Sequence, residues 1–86
     1  MNIIQYTQTL EITVYSKSNC TLCDSAKRLL KSKSLVFTEH NLDDEDDREA
    51  FNKQHPNVRQ MPFVLINDQP VGGFAGLQAA LKQVGL

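Results

Sequence analysis

The chain has 86 residues, carries nine Lys and Arg against ten Asp and Glu, and is 41 % hydrophobic. This length predicts one domain, residues 1–86, with a single small core. The near-neutral charge argues against a general nucleic-acid binder, and no apolar run reaches the ~18–20 residues that cross a bilayer. Residues 1–11 lack the pattern of a secretory signal, so we expect a cytoplasmic protein. Residues 1–10 are expected to form an N-terminal extension, either an added edge strand or a loose tail.

Charge is distributed unevenly along the chain. The basic residues crowd the region around and after two cysteines, at Lys17, Lys27, Arg28, Lys31 and Lys33. Residues 43–49 form an acidic run that only Arg48 interrupts. Both runs are typical of solvated helix faces, and the basic cluster would also favour a nearby thiolate.

In chain order, the first half predicts a strand, a helix and a second strand. Residues 12–15 are β-branched and aromatic, and residues 35–41 alternate as a strand does. Between them, apolar positions recur at helical spacing over residues 20–33, with Ser18 and Asn19 as the expected N-caps. This order predicts a βαβ unit with a parallel strand pair.

The second half predicts a helix, a hairpin and a last helix. Residues 43–55 read as a helix whose acidic first turn suits the positive end of the helix dipole. Residues 63–66 are an apolar strand, residues 67–69 a tight turn, and residues 70–71 a short strand. The final helix has one apolar face, formed by Leu77, Ala80, Leu81 and Val84. The two strongly apolar strands, residues 12–15 and 63–66, are the expected centre of the sheet.

Two cysteines three residues apart carry the strongest chemical signal. Cys20 and Cys23 stand where the first strand gives way to the first helix. Residues three apart in a helical turn are neighbours, so the two sulfurs can close a disulfide with little backbone motion. A helix N-terminus favours a thiolate, the nucleophile of thiol–disulfide exchange, and Lys17 would add positive charge. The spacing predicts a redox pair in which Cys20 attacks and a more buried Cys23 resolves the mixed disulfide.

Other uses of these cysteines fit the chain less well. A zinc site would need further ligands at short spacing, but His40 and His55 are too far apart and there is no second Cys-x-x-Cys. A structural disulfide across so short a loop would constrain the unfolded chain little, and the cytosol would keep it reduced. We therefore expect no metal cofactor.

Three further motifs accompany the cysteine pair. The segments, in order, are Val14-Tyr15-Ser16-Lys17, Cys20-Thr21-Leu22-Cys23, Arg59-Gln60-Met61-Pro62 and Gly72-Gly73-Phe74. Pro62 lacks a backbone N–H and therefore suits the start of a strand rather than its interior. In this order and at these separations, residues 11–86 resemble the glutaredoxins.

The resemblance implies a thioredoxin fold, an α/β domain with a four-stranded mixed sheet flanked by three helices, built as βαβ and then ββα. It also implies a cis bond at Met61–Pro62 and glutathione as the reductant, held as a mixed disulfide on Cys20. The glycine carboxylate of glutathione would face Lys17 with Arg59 or Gln60, and its γ-glutamyl end would lie at the start of the last helix. The implied glutathione contacts are Lys17, Thr21, Leu22, Arg59, Gln60, Met61, Pro62, Gly73, Phe74 and Ala75.

The chain departs from the family pattern at two places. Glutaredoxins usually carry Pro-Tyr or a similar pair between the cysteines, where Thr21 and Leu22 stand here. The family's Gly-Gly-x-Asp-Asp ending is replaced, so that Ala75 and Gly76 occupy the acidic positions. Losing a charge-assisted hydrogen bond to the γ-glutamyl ammonium would weaken glutathione binding by about 1.5–3 kcal/mol. These departures favour the related redoxins that serve ribonucleotide reductase, although those usually carry Trp-Ser-Gly-Phe rather than Val71-Gly72-Gly73-Phe74.

We interpret the chain as a monomeric thiol–disulfide oxidoreductase that acts on disulfide-containing or glutathionylated proteins, with ribonucleotide reductase as a candidate acceptor. Its electron source, glutathione or thioredoxin reductase, stays open. A glutathione-assisted iron–sulfur or metal-binding module is the alternative from another class, and a redox-sensing partner protein is a third. No nucleic-acid or membrane partner is expected.

Overall fold

A computed structural model describes residues 10–86, which form a four-stranded sheet and three helices. The elements in chain order are β1 (Ile12–Ser16), α1 (Thr21–Ser32), β2 (Thr38–Asn41), α2 (Glu45–Gln54), β3 (Phe63–Ile66), β4 (Gln69–Gly72) and α3 (Phe74–Gln83). The strand order is β2-β1-β3-β4, with β1 and β2 parallel and the other pairs antiparallel. This is the thioredoxin-fold arrangement that the resemblance implies. Except for Leu10, the predicted extension lies outside the described residues.

The two faces of the sheet carry different side chains. β1 and β3 lie at its centre, as predicted, and pair Val14 with Val64 and Tyr15 with Phe63. Because side chains alternate along a strand, the two pairs point to opposite faces. The aliphatic face packs on α1 and α3 through Ile12, Val14, Ala26, Leu30, Val64, Leu77 and Leu81. The aromatic face packs on α2, where the Tyr15 and Phe51 rings are 4.7 Å apart.

The end of α1 shortens the second strand relative to the prediction. Ser34 adopts a left-handed φ of 57°, and the Leu35 N–H donates to the Leu30 carbonyl at 3.0 Å. This pattern is a common way to satisfy the last carbonyls of a helix. Leu35 therefore belongs to the helix C-terminus, and β2 begins at Thr38 instead of residue 35.

Local residues set the start of α2 and the turn between β3 and β4. The Asp44 carboxylate accepts the N–H groups of Asp46 and Asp47, so α2 begins at Glu45, two residues later than predicted. Asn67 and Asp68 have φ values of 51° and 66°, the conformation of a two-residue type I′ hairpin turn. The hairpin lengthens the predicted residues 70–71 strand by one residue at each end. Within residues 10–86, every helix is too short or too polar to cross a membrane.

Candidate active site

The two cysteines form a disulfide at the start of α1. Their Cα atoms lie 5.2 Å apart, Cys20 is partly exposed, and Cys23 is fully buried. Cys20 is itself the N-cap of α1, and its Sγ accepts the Cys23 N–H at 3.1 Å. Ser18 and Asn19 do not cap the helix, so that prediction was wrong. One sulfur thus faces the surface at the positive end of a helix, and the other lies behind it.

The segment before β3 meets the exposed sulfur from across the fold. The Met61–Pro62 peptide bond is cis, as the resemblance implies, and the Met61 carbonyl oxygen is 3.7 Å from the Cys20 Sγ. A Cβ atom placed on Gly73 would lie 3.5 Å from the Pro62 carbonyl oxygen, so the start of α3 adjoins the same segment. The Arg59-Gln60-Met61-Pro62 motif therefore reaches Cys20 through the Met61 carbonyl, and the Gly72-Gly73-Phe74 motif adjoins that segment at Pro62.

The loop between β1 and Cys20 is held by a contact that the sequence did not reveal. The Ser18 hydroxyl donates to one oxygen of the Asp43 carboxylate, and the Ser18 N–H lies 3.5 Å from the other. Nearby, the Leu42 N–H donates to the Ser16 carbonyl at 2.8 Å. Because Ser18 and Asp43 are 25 residues apart, no local pattern relates them. The contact attaches the β1–α1 loop, which includes Lys17, to the connection between β2 and α2.

A groove of about 400 Å³ runs beside this loop. The residues that line it are Lys17, Leu42, Asp43, Arg48, Phe51, Asn52, Val58, Arg59 and Met61. Three of the predicted glutathione contacts, Lys17, Arg59 and Met61, are thus brought together, whereas Gln60 is not among the lining residues. Arg48 was missed because it stands inside an acidic run. Its Nη1 donates to the Leu42 carbonyl at 3.2 Å, which ties the guanidinium to the connection between β2 and α2.

Of the predicted contacts between the cysteines and on α3, Thr21, Leu22 and Ala75 are exposed, and Gly73 and Phe74 are half-buried. Thr21 and Leu22 lie in the first turn of α1, and the Leu22 side chain is 53 % exposed. Gly73 is the N-cap of α3 and supplies no capping side chain, and the first turn contains no acidic residue. Phe74 is half-buried against the aliphatic core, while Ala75 is exposed.

Gly76 explains why one of the family's acidic residues has no place here. A Cβ atom on Gly76 would overlap the Val71 carbonyl oxygen and lie 2.9 Å from the carbonyl carbon. Both atoms belong to the backbone of β4, which no side-chain rotation can move. The close approach of α3 to β4 therefore requires glycine at this position.

A polar network lies on the aliphatic face behind the site. Ser16 is 1 % exposed, and its Oγ donates to the Glu39 Oε2 at 2.6 Å. The Lys27 Nζ, on α1 one turn after Cys23, donates to the same oxygen at 2.9 Å. The hydrogen bond from Lys27, with that from Ser16, holds the pKa of the Glu39 carboxyl below its ordinary value. Among residues 10–86, no group of three His, Cys, Asp or Glu side chains is placed to hold a metal ion.

Comparisons with known proteins all point to one family. The glutaredoxin family model matches residues 12–71. A probable glutaredoxin of Synechocystis sp. is 38 % identical over 64 residues, which cover 73 % of each chain. The glutaredoxin-like protein NrdH of Salmonella typhimurium is 32 % identical over 65 residues, covering 76 % of this chain and 79 % of the relative.

Solved structures agree with the sequence comparisons. Wheat glutaredoxin superimposes with a TM-score of 0.68 at 29 % identity, covering 86 % of this chain and 70 % of its own. The dithiolic glutaredoxin 2-C-Grx1 of Trypanosoma brucei brucei gives 0.71 at 26 % identity, covering 87 % and 79 %. These matches confirm the thioredoxin fold that the resemblance implies and the oxidoreductase class that the cysteine spacing predicts. The chain belongs to the glutaredoxin family of thiol–disulfide oxidoreductases.

Proposed function

We propose that this chain is a monomeric, cytoplasmic dithiol reductase that reduces protein disulfides through Cys20 and Cys23. The observation that carries the proposal is the position of the Cys20 sulfur. It is partly exposed, caps α1, and accepts the Cys23 N–H at 3.1 Å, while Cys23 is fully buried. Backbone N–H groups at a helix start stabilise a thiolate, so Cys20 is the nucleophile and Cys23 the second thiol.

Each turnover transfers two electrons to the substrate. The Cys20 thiolate attacks one sulfur of the substrate disulfide, and the other sulfur leaves as a thiolate that takes up a proton. The Cys23 thiol then loses its proton and attacks the Cys20 Sγ, which releases the second substrate sulfur. The substrate disulfide is reduced to two thiols, and the protein is left with the Cys20–Cys23 disulfide.

Glutathione is the first candidate for returning the protein to the dithiol. In this proposal its cysteinyl backbone pairs with Met61, and its glycine carboxylate faces Lys17 and Arg59 in the groove. Its γ-glutamyl end lies at Gly73 and Ala75, whose helix start offers free N–H groups to a carboxylate. Lys17, Arg59 and Met61 do line one groove next to Cys20, which supports this placement.

Thioredoxin reductase is the second candidate, and one feature of the site favours it. The first turn of α3 has no acidic residue, so nothing there pairs with the γ-glutamyl ammonium. The related redoxins that serve ribonucleotide reductase use this electron source, and the similarity to NrdH of Salmonella typhimurium agrees. Ribonucleotide reductase is then the candidate acceptor.

The two electron sources can be separated in one experiment. The oxidised protein is mixed with NADPH and either glutathione with glutathione reductase or thioredoxin reductase alone, and the loss of the Cys20–Cys23 disulfide is followed. The uncharged α3 side predicts faster reduction by thioredoxin reductase. Faster reduction through glutathione would show that the acidic pair is dispensable in this chain.

Changing Cys23 to Ser tests the division of labour between the cysteines. We expect this variant to lose reduction of protein disulfides, because nothing resolves the mixed disulfide, yet to retain removal of glutathione from glutathionylated proteins. Cys20→Ser, the matched control, should lose both activities. Loss of both activities in the Cys23→Ser variant would contradict the resolving role of Cys23.

A further inference from the structure

The groove beside Cys20 gathers cations that the protein itself leaves unpaired. Lys17, Arg48 and Arg59 line it. Within residues 10–86, which include all ten carboxylate side chains of the chain, none of the three lies within 4 Å of a carboxylate. The acidic run of residues 43–49 adjoins the groove in sequence, yet none of its carboxylates forms an ion pair with these three cations. The groove therefore has positive charge available to a ligand.

The other lining residues are mostly apolar, so the positive charge lies at the rim of the groove. The floor is apolar, formed by the buried Phe51 and by the half-buried Val58 and Met61. Asp43 is the one carboxylate among the lining residues, and its two oxygens face the hydroxyl and N–H of Ser18. A volume of about 400 Å³ falls within the range typical of ligand sites. An apolar floor with a cationic rim suits a ligand that combines apolar and acidic groups.

We propose that this groove binds an acidic segment of a protein substrate, next to the disulfide that Cys20 attacks. The inference rests on the proposed function, because the segment is useful only if Cys20 reacts with the substrate. In the placement proposed above, the single glycine carboxylate of glutathione faces Lys17 and Arg59 and leaves Arg48 unused. A segment with several Asp or Glu side chains would engage all three.

Arg48 distinguishes this occupant from glutathione. Lys17 and Arg59 adjoin the cysteine loop and the Met61 segment, and either occupant would use them. Arg48 comes from α2, where its hydrogen bond to the Leu42 carbonyl holds it at the groove. Complementary charge of this kind acts mainly on the rate of productive encounter and on the choice of partner. We therefore expect Arg48 to set the preference among protein substrates.

The test uses pre-reduced protein and three disulfides, so that no electron donor is involved. The first is a peptide in which the disulfide-bonded cysteine is followed by three acidic residues. The second is the same peptide with the corresponding amide residues in place of the acids. The third is a glutathione mixed disulfide. Second-order rate constants for oxidation of the Cys20–Cys23 dithiol are measured by acid quench and alkylation. The proteins are the wild type, Arg48→Glu and the matched control Arg28→Glu, which reverses an exposed charge on α1 outside the groove.

We expect the wild type to prefer the acidic peptide over the amide peptide about fivefold, and to lose this preference at about 0.5 M salt. Arg48→Glu should lower the ratio of the acidic-peptide rate to the amide-peptide rate by about five- to tenfold. Arg28→Glu should leave this ratio unchanged. The amide peptide is the internal reference for correct folding, because a damaged site would slow both peptides together.

Four results would overturn the inference. Equal effects of the two reversals would indicate net charge rather than a groove. A loss with the glutathione disulfide as large as that with the acidic peptide would identify a single carboxylate as the occupant. Equal rates for both peptides in the wild type would leave the proposed function standing without the acidic-segment preference, whereas failure of all three disulfides to react would remove both.

Discussion

The two sides of the Cys20 sulfur differ in charge and in how freely their residues can change. On the α2 side, Lys17, Arg48 and Arg59 surround a groove, and all three are exposed. On the α3 side, the first turn has no acidic residue, and Gly76 is held against the backbone of β4. An exposed charged residue can be replaced without disturbing the fold, whereas a glycine packed against backbone atoms cannot. The chain as it stands therefore offers charge for substrate selection only on the α2 side among the described residues, while packing fixes position 76 of the α3 side as glycine.

Gly76→Ala is the change that should break the α3 side most severely. Alanine normally stabilises a helix interior by about 1 kcal/mol relative to glycine. Here its Cβ would overlap the Val71 carbonyl, and relieving the overlap requires α3 to move off β4. We expect a net loss of about 2–3 kcal/mol in the free energy of unfolding, measured by urea titration.

Gly73→Ala is the matched control for that loss. Its φ is −90°, and its added Cβ would make an ordinary contact of 3.5 Å with the Pro62 carbonyl oxygen. Because glycine is preferred over alanine at an N-cap, we expect its free energy of unfolding to fall by at most about 1 kcal/mol, less than for Gly76→Ala. Similar losses in the two variants would mean that the approach of α3 to β4 does not restrict position 76.

Ala75→Asp should sharpen the comparison by giving the α3 side a charge. Ala75 is exposed in the first turn of α3, so aspartate fits without a clash and complements the helix dipole. With an ammonium group to pair with, kcat/KM for a glutathione mixed disulfide should rise about three- to fivefold.

Ala79→Asp adds the same charge to an exposed position further along α3 and serves as the control. It should leave kcat/KM near the starting value. An equal rise in both variants would indicate a general effect of net charge, and no rise in either would place the γ-glutamyl group elsewhere.

The smallest expected effect concerns Glu39. Its hydrogen bonds with Ser16 and Lys27 lie behind the site rather than on its α2 or α3 side. The pKa of its carboxyl is lower in the folded state than its ordinary value of 4.5, chiefly through Lys27 and then Ser16. A lowered folded pKa contributes stability above pH 4.5, and this stability is lost as the pH falls through the folded value. Glu39→Gln should therefore be less stable than the wild type at pH 7 by under about 1 kcal/mol, with the gap closing toward pH 3.

Glu49→Gln, an exposed residue of α2, is the matched control for the pH measurement. Urea titrations at pH 7 and pH 3 should give it nearly the wild-type free energy of unfolding at both values. A gap for Glu39→Gln that is equally large at pH 3 would show that the side chain acts through packing rather than through its charge.

Features that depend on local periodicity could be predicted from the sequence. The apolar strands ending at Tyr15 and Ile66 were expected at the sheet centre, and the helix after Cys20 followed from apolar spacing. Features that depend on distant partners could not. Ser18 was predicted to cap α1, but its hydroxyl binds Asp43, and the sulfur of Cys20 takes the cap instead.

The site shows the same division. The spacing of Cys20 and Cys23 was sufficient to predict the oxidoreductase class, since the chemistry needs two sulfurs one helical turn apart. The groove depends on α2 packing beside the cysteine loop, so Arg48 could be assigned only once the helix was in place. Likewise, the sequence alone suggests that the absence of an acidic residue at position 76 is a lost ligand contact. The fold shows instead that only glycine fits there against the Val71 carbonyl.

Because the Cys20 sulfur caps α1, its ionisation and the formation of the helix are thermodynamically linked. A thiolate accepts the Cys23 N–H more strongly than a neutral thiol does, so ionising Cys20 stabilises the first turn of the helix. Around a closed cycle the effect must be equal in the other direction, and a firm first turn makes the proton easier to remove. Substitutions that loosen the start of α1 should therefore reduce nucleophilicity even where they touch neither sulfur.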